Sequence, residues 1–315
     1  MRKIGNFFRV ILLTVAMMAA ASLSAFAQEE TDALNTDRET EMTAKKTEEA
    51  EEDSTGNGAG TYNLLLIGVD RRDDSWNGNS DVMMLVTVNP RKETIFLTSF
   101  LRDLYANIEG IGVRKLNAAC ANGGASLCVK TIRDNYQVRI DNYALVDFND
   151  MIEIVDVFDG VDLELTEDEV RVANQYVQSM CQANGEPYEA HQITGYGLLH
   201  LDGYQAVGFM RNRYSGNEND FGRTDRQRKV LLALLEKMKN GDLGDMAQLL
   251  LKVLPKMQHD VDSATMLKLA AKLPSWLEYK VEQQRIPYDN MYHSQNEILI
   301  PDMDETIRIL QETLY

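Results

Sequence analysis

Apolar residues in this chain come in short runs divided by turn signals, and the runs switch between strand and helix periods. Tyr62–Val69 is a near-continuous apolar run closing on Gly68-Val69-Asp70, the pattern of a buried strand. Residues 81–88 and Thr94–Phe100 are two more such runs, joined by Asn89-Pro90-Arg91-Lys92, which predicts a hairpin. Helical spacing follows as far as Tyr136, starting at Ala118 or at Ser126. Strands are predicted over 143–148 and Val161–Leu165, with a short helix over 150–158 that stops at Asp159-Gly160. Leu201, Tyr204, Val207 and Gly208 space a helix over 201–210. Thr224-Asp225-Arg226-Gln227 reads as a capping box, with Thr224 as N-cap, leading into the apolar run 230–235. Further helices are expected over 243–253, 263–273 and 304–314, and closing strands over 279–286 and 297–300. Strands and helices interleaved without an internal repeat or a long linker predict one α/β domain over 61–315. Its expected architecture is three α-β-α layers around a mixed central sheet.

The first sixty residues break this pattern. Arg2, Lys3 and Arg9 precede an apolar stretch over 10–23, and Ala25-Phe26-Ala27 is a small-x-small cleavage signature. Residues 1–27 therefore read as an export signal or, if uncleaved, as a signal anchor. Residues 28–60 hold eleven acids and three bases and close on Ser54-Thr55-Gly56-Asn57-Gly58-Ala59-Gly60. So few large apolar side chains cannot offset the entropy of ordering, and the segment is read as a disordered acidic spacer. This layout predicts an extracytoplasmic, cell-surface protein, membrane-anchored or secreted.

Charge narrows the ligand. Of the net −17, the leader carries +3 and the spacer −8, leaving −12 on 61–315. A domain that acidic is unsuited to nucleic acid. Yet Arg211, Arg213, Arg223, Arg226, Arg228 and Lys229 cluster within it, which points to a focused anion site. Three cysteines are too few for a disulfide scaffold. Cys120 and Cys128 flank Asn122-Gly123-Gly124, a turn that allows one disulfide between them and leaves Cys181 single.

The candidate chemistry lies at the ends of predicted elements, where open α/β sheets hold ligands. Asp70, Arg71 and Arg72 follow the first strand, Asp81 opens the second, and Arg102 and Asp103 follow the third. Arg223 precedes the capped helix, whose N-terminal amides favour an anion. Guanidinium forks match phosphate oxygens, and two carboxylates can hold a divalent ion that shares those oxygens. One arrangement accommodates them all: a metal on Asp70 and Asp81, bound to a pyrophosphate gripped by arginines. Each piece alone has a plainer reading, since Asp-Arg after a strand is ordinarily a surface ion pair and Arg-x-Arg a solvated face. His191, His200, His259 and His293 lack the spacing of zinc ligands, and neither a nucleophile elbow nor a nucleotide phosphate loop is present.

Eight stretches in order carry a resemblance. They are Gly68-Val69-Asp70-Arg71-Arg72, Ser80-Asp81-Val82-Met83-Met84-Leu85, Ser99-Phe100-Leu101-Arg102-Asp103 and Lys115-Leu116-Asn117-Ala118-Ala119, then Val146-Asp147-Phe148, Leu201-Asp202-Gly203, Arg211-Asn212-Arg213 and Asp220-Phe221-Gly222-Arg223-Thr224-Asp225-Arg226-Gln227. In order and spacing the set resembles the LytR-CpsA-Psr family over about 62–239, and more weakly to the C-terminus. The resemblance implies a phosphotransferase that moves a glycopolymer from a polyprenyl-pyrophosphate carrier, at the membrane surface, onto a peptidoglycan hydroxyl as a phosphodiester. It implies that Asp70 and Asp81 hold Mg2+, with Mn2+ as the alternative ion. It assigns the pyrophosphate to Arg72, Arg102, Arg211, Arg213 and Arg223, supported by Lys115 and Gln227, with Arg102 and Arg223 also catalytic. Asp220 is the candidate general base on the acceptor hydroxyl. Met83, Met84, Phe209 and Leu231 are candidates to line a prenyl cleft, plain core being their alternative. Two positions depart from the family: Asn79 stands where an Arg is usual, and Leu101 stands at the proline of Ser-x-Pro-Arg-Asp. A hydrolase that splits the same carrier with water, and a non-catalytic binder of prenyl lipid or wall glycan, are the competing readings.

Overall fold

The structure, a computed structural model, describes residues 60–69, 77–215, 219–240, 253 and 257–315, the side chains of 219, 220 and 240 excepted. The leader, the spacer and most of the helix expected over 243–253 lie outside the described residues. In chain order the first elements are β1 (Tyr62–Val69), β2 (Ser80–Asn89), β3 (Thr94–Phe100), β4 (Tyr105–Ile108), β5 (Gly112–Lys115) and α1 (Ala118–Tyr136). Next come β6 (Asn142–Val146), α2 (Phe148–Val157), β7 (Val161–Leu165), α3 (Glu167–Asn184), α4 (Tyr188–His191), β8 (Gly197–Leu201), α5 (Gly203–Arg211) and α6 (Asn219–Asn240). The last are β9 (Gln258–His259), α7 (Ser263–Trp276), β10 (Lys280–Ile286), β11 (Tyr292–Gln295), β12 (Ile298–Pro301) and α8 (Met303–Leu314).

A six-stranded sheet runs in the order β10-β3-β2-β1-β6-β9. β1–β2, β2–β3 and β6–β9 are antiparallel, whereas β1–β6 and β3–β10 are parallel, so the sheet is mixed as expected. Alternation along β1 sends Leu65, Ile67 and Val69 to one face, where α1 and α8 bury them with Cys128, Ile132, Tyr136 and Leu310. The opposite face carries Leu66, Met84 and Leu97 against Leu231 of α6 and Leu269 and Trp276 of α7. These are the three layers predicted from the run pattern. A further helical cluster joins α2, α3, α5 and α6 to the β7–β8 ribbon.

Several local expectations change. α6 begins at Asn219, so Thr224 lies inside the helix and is not its N-cap; Thr224, Arg226, Gln227 and Arg228 are buried along its first turns, and tertiary packing overrides the capping signature. The segment 197–201 is a strand paired with β7, and the helix expected over 201–210 starts only after the Asp202 N-cap. α1 does start at Ala118 but is kinked at Gly123 and Gly124, the latter with φ of 66°. Instead of forming a disulfide, Cys120, Cys128 and Cys181 are all free and buried.

α5 packs tightly because it is glycine-bearing. A Cβ on Gly208 would stand 2.7 Å from Val177 Cγ2 and 2.9 Å from the Ala173 carbonyl oxygen of α3. A Cβ on Gly203 would stand 2.4 Å from the Ile152 carbonyl oxygen of α2. Gly208→Leu is therefore expected to cost about 3 kcal/mol by overpacking. Thermal unfolding followed by circular dichroism should show a Tm roughly 6 °C or more below that of the parent protein; an unchanged Tm would contradict this packing.

Candidate active site

Sheet topology gathers the candidate residues at one edge. β1 and β6 run parallel, with Gly68 beside Val146, so both end there. β2 is antiparallel to β1 and starts at the same edge, with Ser80 beside Val69 after a register shift. β3 is antiparallel to β2 and also ends there, followed by Leu101 and Arg102. Asp81, Arg102 and Asp147-Phe148 are thus neighbours at the carboxyl ends of β1, β3 and β6, the usual ligand position of such sheets.

Asp81 is the centre of this edge. Its Oδ1 accepts from Arg102 Nη1 at 3.1 Å, and its Oδ2 accepts from Arg213 Nη2 at 2.5 Å. Arg223 Nη1 lies 3.4 Å from the same Oδ2, on a side chain only 3% exposed. Three guanidiniums from three different segments therefore share one carboxylate. Three cations gathered on one anion leave a local excess of positive charge, so the cluster suits a ligand rich in anionic oxygens. Arg211 joins from the end of α5, its guanidinium stacked 4.1 Å from the ring centre of Phe148 and 5.2 Å from that of Tyr176.

The turn that carries Arg213 is fixed from behind. Asn212 is fully buried, and its Oδ1 accepts from the backbone N–H groups of Tyr214 and Ser215, each at 3.1 Å. Arg226 of α6 donates to the carbonyls of Asn212 at 3.3 Å and Ser215 at 3.2 Å, and through Nε to Glu169 Oε1 at 3.0 Å. Burial opposes the Glu169 charge, but the Thr166 backbone N–H, the Arg226 guanidinium and the Thr166 hydroxyl outweigh it and hold its pKa below the usual carboxylate value.

Behind the charged mouth runs a cavity of about 230 Å3. Asp81, Arg211, Arg213, Arg223 and Gln227 stand at its polar end, while Leu66, Met84, Phe148, Met151, Val207 and Leu231 make its apolar wall. The cross-strand pair Leu66 and Met84 forms part of the floor, and so does Gly68 opposite Val82. Gly68 is needed there, because a Cβ would meet Val82 Cβ at 2.8 Å. Of the four apolar candidates, Met84 and Leu231 line the cavity, whereas Met83 and Phe209 are plain core. Tyr176 also lines it; burial raises its pKa, Tyr214 adds to the effect, and Arg213, Arg211 and Arg223 oppose it.

Other predicted residues fall elsewhere. Lys115, on β5, is outside the cavity wall and pairs with Asp103 at 3.2 Å and Glu297 at 3.3 Å; Asp103 in turn lies 3.8 Å from Arg102 Nε. Asn79 is exposed. Asp70 and Arg72, and the side chain of Asp220, lie outside the described residues. Asp81 offers hard carboxylate oxygens, the donor chemistry that suits Mg2+ or Mn2+. Among the described residues no group of three His, Cys, Asp or Glu is placed to hold an ion. Tyr176 was not foreseen, because α3 was not; the Thr166-x-x-Glu169 capping box, which the structure forms, is the signal that reveals it.

A profile of the LytR_cpsA_psr family matches residues 20–313. The chain belongs to this family. Among LytR-CpsA-Psr relatives, the polyisoprenyl-teichoic acid–peptidoglycan teichoic acid transferase TagU of Enterococcus faecalis is 30% identical over 80% of this chain and 78% of that protein. Biofilm regulatory protein A of Streptococcus mutans is 31% identical over 66% of this chain and 52% of that protein. The chain spans about half the length of several of the curated relatives it matches. Among solved structures, the family protein YwtF (TagT) of Bacillus subtilis, with bound octaprenyl pyrophosphate lipid, shares the fold. Its TM-score is 0.59 at 22% identity, over 82% of this chain and 90% of that one. At the proline position of the LytR-CpsA-Psr pattern, the Leu101 N–H donates to the Ile286 carbonyl at 3.0 Å, a bond proline cannot make.

The Glu169–Arg226 pair yields a pH-dependent prediction. Its contribution is complete above the ordinary carboxylate pKa of 4.5 and is lost as pH falls through the depressed folded value. Glu169→Gln leaves Arg226 buried beside a neutral partner and is expected to cost about 3 kcal/mol at neutral pH. Denaturant unfolding should show this gap closing in acid, as the parent protein loses the same charge; a gap that stays constant would count against the pair.

Proposed function

We propose that this chain is a glycopolymer phosphotransferase, taking its substrate from a polyprenyl-pyrophosphate carrier and delivering it to a peptidoglycan hydroxyl outside the cell membrane. The observation that carries this reading is the apolar cavity ending in the Asp81-centred arginine cluster. A prenyl pyrophosphate has the same two-ended chemistry, a hydrocarbon tail and a polyanionic head. The names of the relatives support the reading, TagU as a teichoic acid transferase and YwtF for its bound octaprenyl pyrophosphate.

In this reading the acceptor oxygen attacks the phosphorus that bears the glycan. The new phosphorus–oxygen bond forms as the bond to the bridging oxygen breaks, prenyl phosphate leaves, and the hydroxyl proton passes to a base, for which Asp220 is the candidate. Arg102, Arg213 and Arg223, with Arg72, hold the phosphates and neutralise the charge gathering on the departing oxygen. Arg211 and Gln227 orient the head at the cavity mouth, and Lys115 supports Arg102 through Asp103. Mg2+ or Mn2+ held by Asp81 and Asp70 would add charge neutralisation at the phosphate oxygens.

The test incubates the purified protein with a prenyl-pyrophosphoryl disaccharide, Mg2+ and peptidoglycan oligomers and follows products by mass spectrometry. A glycan-phosphate-peptidoglycan adduct is expected. Asp81→Ala and Arg102→Ala should each lower its rate at least ~100-fold. Sugar phosphate and prenyl phosphate without adduct would replace this reading with hydrolysis, and intact substrate would leave only binding.

A further inference from the structure

Tyr214 is 70% exposed, yet it rides on a turn fastened by buried groups on both sides. Its backbone N–H donates to the buried Asn212 side chain, and Arg226 grips the carbonyls of Asn212 and Ser215 that flank it. Asn212 Nδ2 also reaches the Glu169 carbonyl at 3.4 Å. An exposed ring is ordinarily free to wander with its loop; this one is presented to solvent from a fixed base.

Its address is specific. The preceding residue, Arg213, bonds Asp81 at the polar end of the cavity, and the next element, α6, brings Arg223 and Gln227 to the same place. Consecutive Cα atoms are about 3.8 Å apart, so the backbone of Tyr214 stands directly beside the residue that grips Asp81. A carrier-linked glycan has its first sugar joined to the pyrophosphate through a single oxygen, so that sugar emerges beside the arginines on the solvent side. Tyrosine suits such a neighbour: the apolar C–H face of a pyranose covers the ring, and the hydroxyl remains wet.

We propose that Tyr214 is a stacking platform for the sugar next to the pyrophosphate, and that it sets this enzyme's preference for glycan-loaded over naked carrier. The proposal rests on the phosphotransferase reading above. Tyr176, whose ionisation Tyr214 influences, lines the same cavity, with the Arg211 guanidinium 5.2 Å from its ring centre. The residues adjoining Tyr214 in sequence, Asn212, Arg213 and Ser215, are polar.

The experiment measures binding of the full chain to a short-chain prenyl pyrophosphate and to the same lipid carrying a disaccharide. The wild-type protein is expected to prefer the loaded lipid about 10-fold. Tyr214→Ala should erase most of that preference while leaving affinity for the naked lipid within about twofold, and Tyr214→Trp should restore it. Thermal melts of the variants should match the parent, since the ring is exposed. A preference unchanged in Tyr214→Ala, or an equal loss for both lipids, overturns the platform. So does a preference unchanged while binding to anionic vesicles falls, which assigns the ring to the membrane. Wild-type protein that binds neither lipid overturns the pyrophosphate reading itself and the platform with it; binding of both without any sugar preference overturns the platform alone.

Discussion

The site hangs on the carboxylate of Asp81. Arg102, Arg213 and Arg223 come from the end of β3, the turn after α5 and the second turn of α6, and each meets one of its two oxygens. Like charges gathered at this spacing repel, and Arg223 is nearly cut off from water, so a counter-charge is needed to hold the group together. A buried ion cluster of this kind is a costly way to gain stability. It is a good way to keep donors in position for an anion, because a phosphate can take over contacts that are already aimed without the side chains having to reorganise.

The rest of the fold supplies constraints on that arrangement. Mixed strand direction brings the start of β2 to the edge where β1, β3 and β6 end, so acid and bases meet without any long loop having to reach. α6 serves both ends of the cavity: Arg223 and Gln227, four residues apart, face the charged mouth, and Leu231, four further on, joins the apolar wall. Arg226, three residues after Arg223, ties the same helix to the Arg213 turn. A rotation of α6 would therefore disturb the arginine cluster, the apolar wall and the turn together.

Much of this was legible in the amino-acid sequence, for identifiable reasons. β1 and β3 are short apolar runs between turn residues, and burial on both faces leaves a strong signal. Asp81, Arg102, Arg213, Arg223 and Gln227 sit in motifs whose residue types carry the chemistry, and the structure brings them to one place. α3 was missed although Val170, Ala173, Val177, Met180 and Cys181 keep helical spacing and its capping box is as clear as the false one at Thr224. Nothing local separates the two: Thr166 begins a helix, and Thr224 continues one already started at Asn219, where buried arginines hold the first turns. Met83 and Met84 show the same limit on a smaller scale. Strand alternation guarantees that they face opposite ways, but only the helices packed on each face decide which one meets the cavity.

The departure at Leu101 shows how support for a site residue can be re-routed. A proline there would stiffen the chain before Arg102 by fixing its own φ. Leucine removes that stiffness and regains an N–H, which donates to Ile286 and extends the pairing of β3 with β10 by one bond. On the far side, the Arg102 carbonyl accepts from the Asn117 N–H at 3.1 Å, and Lys115 holds Asp103 beside it. Arg102 is thus held by its neighbours in the sheet and in the loop before α1, where a proline would have held it through its own backbone. This gives Lys115 a place in the site although it stands off the cavity wall: its charge fixes Asp103, Asp103 flanks Arg102, and Arg102 grips Asp81.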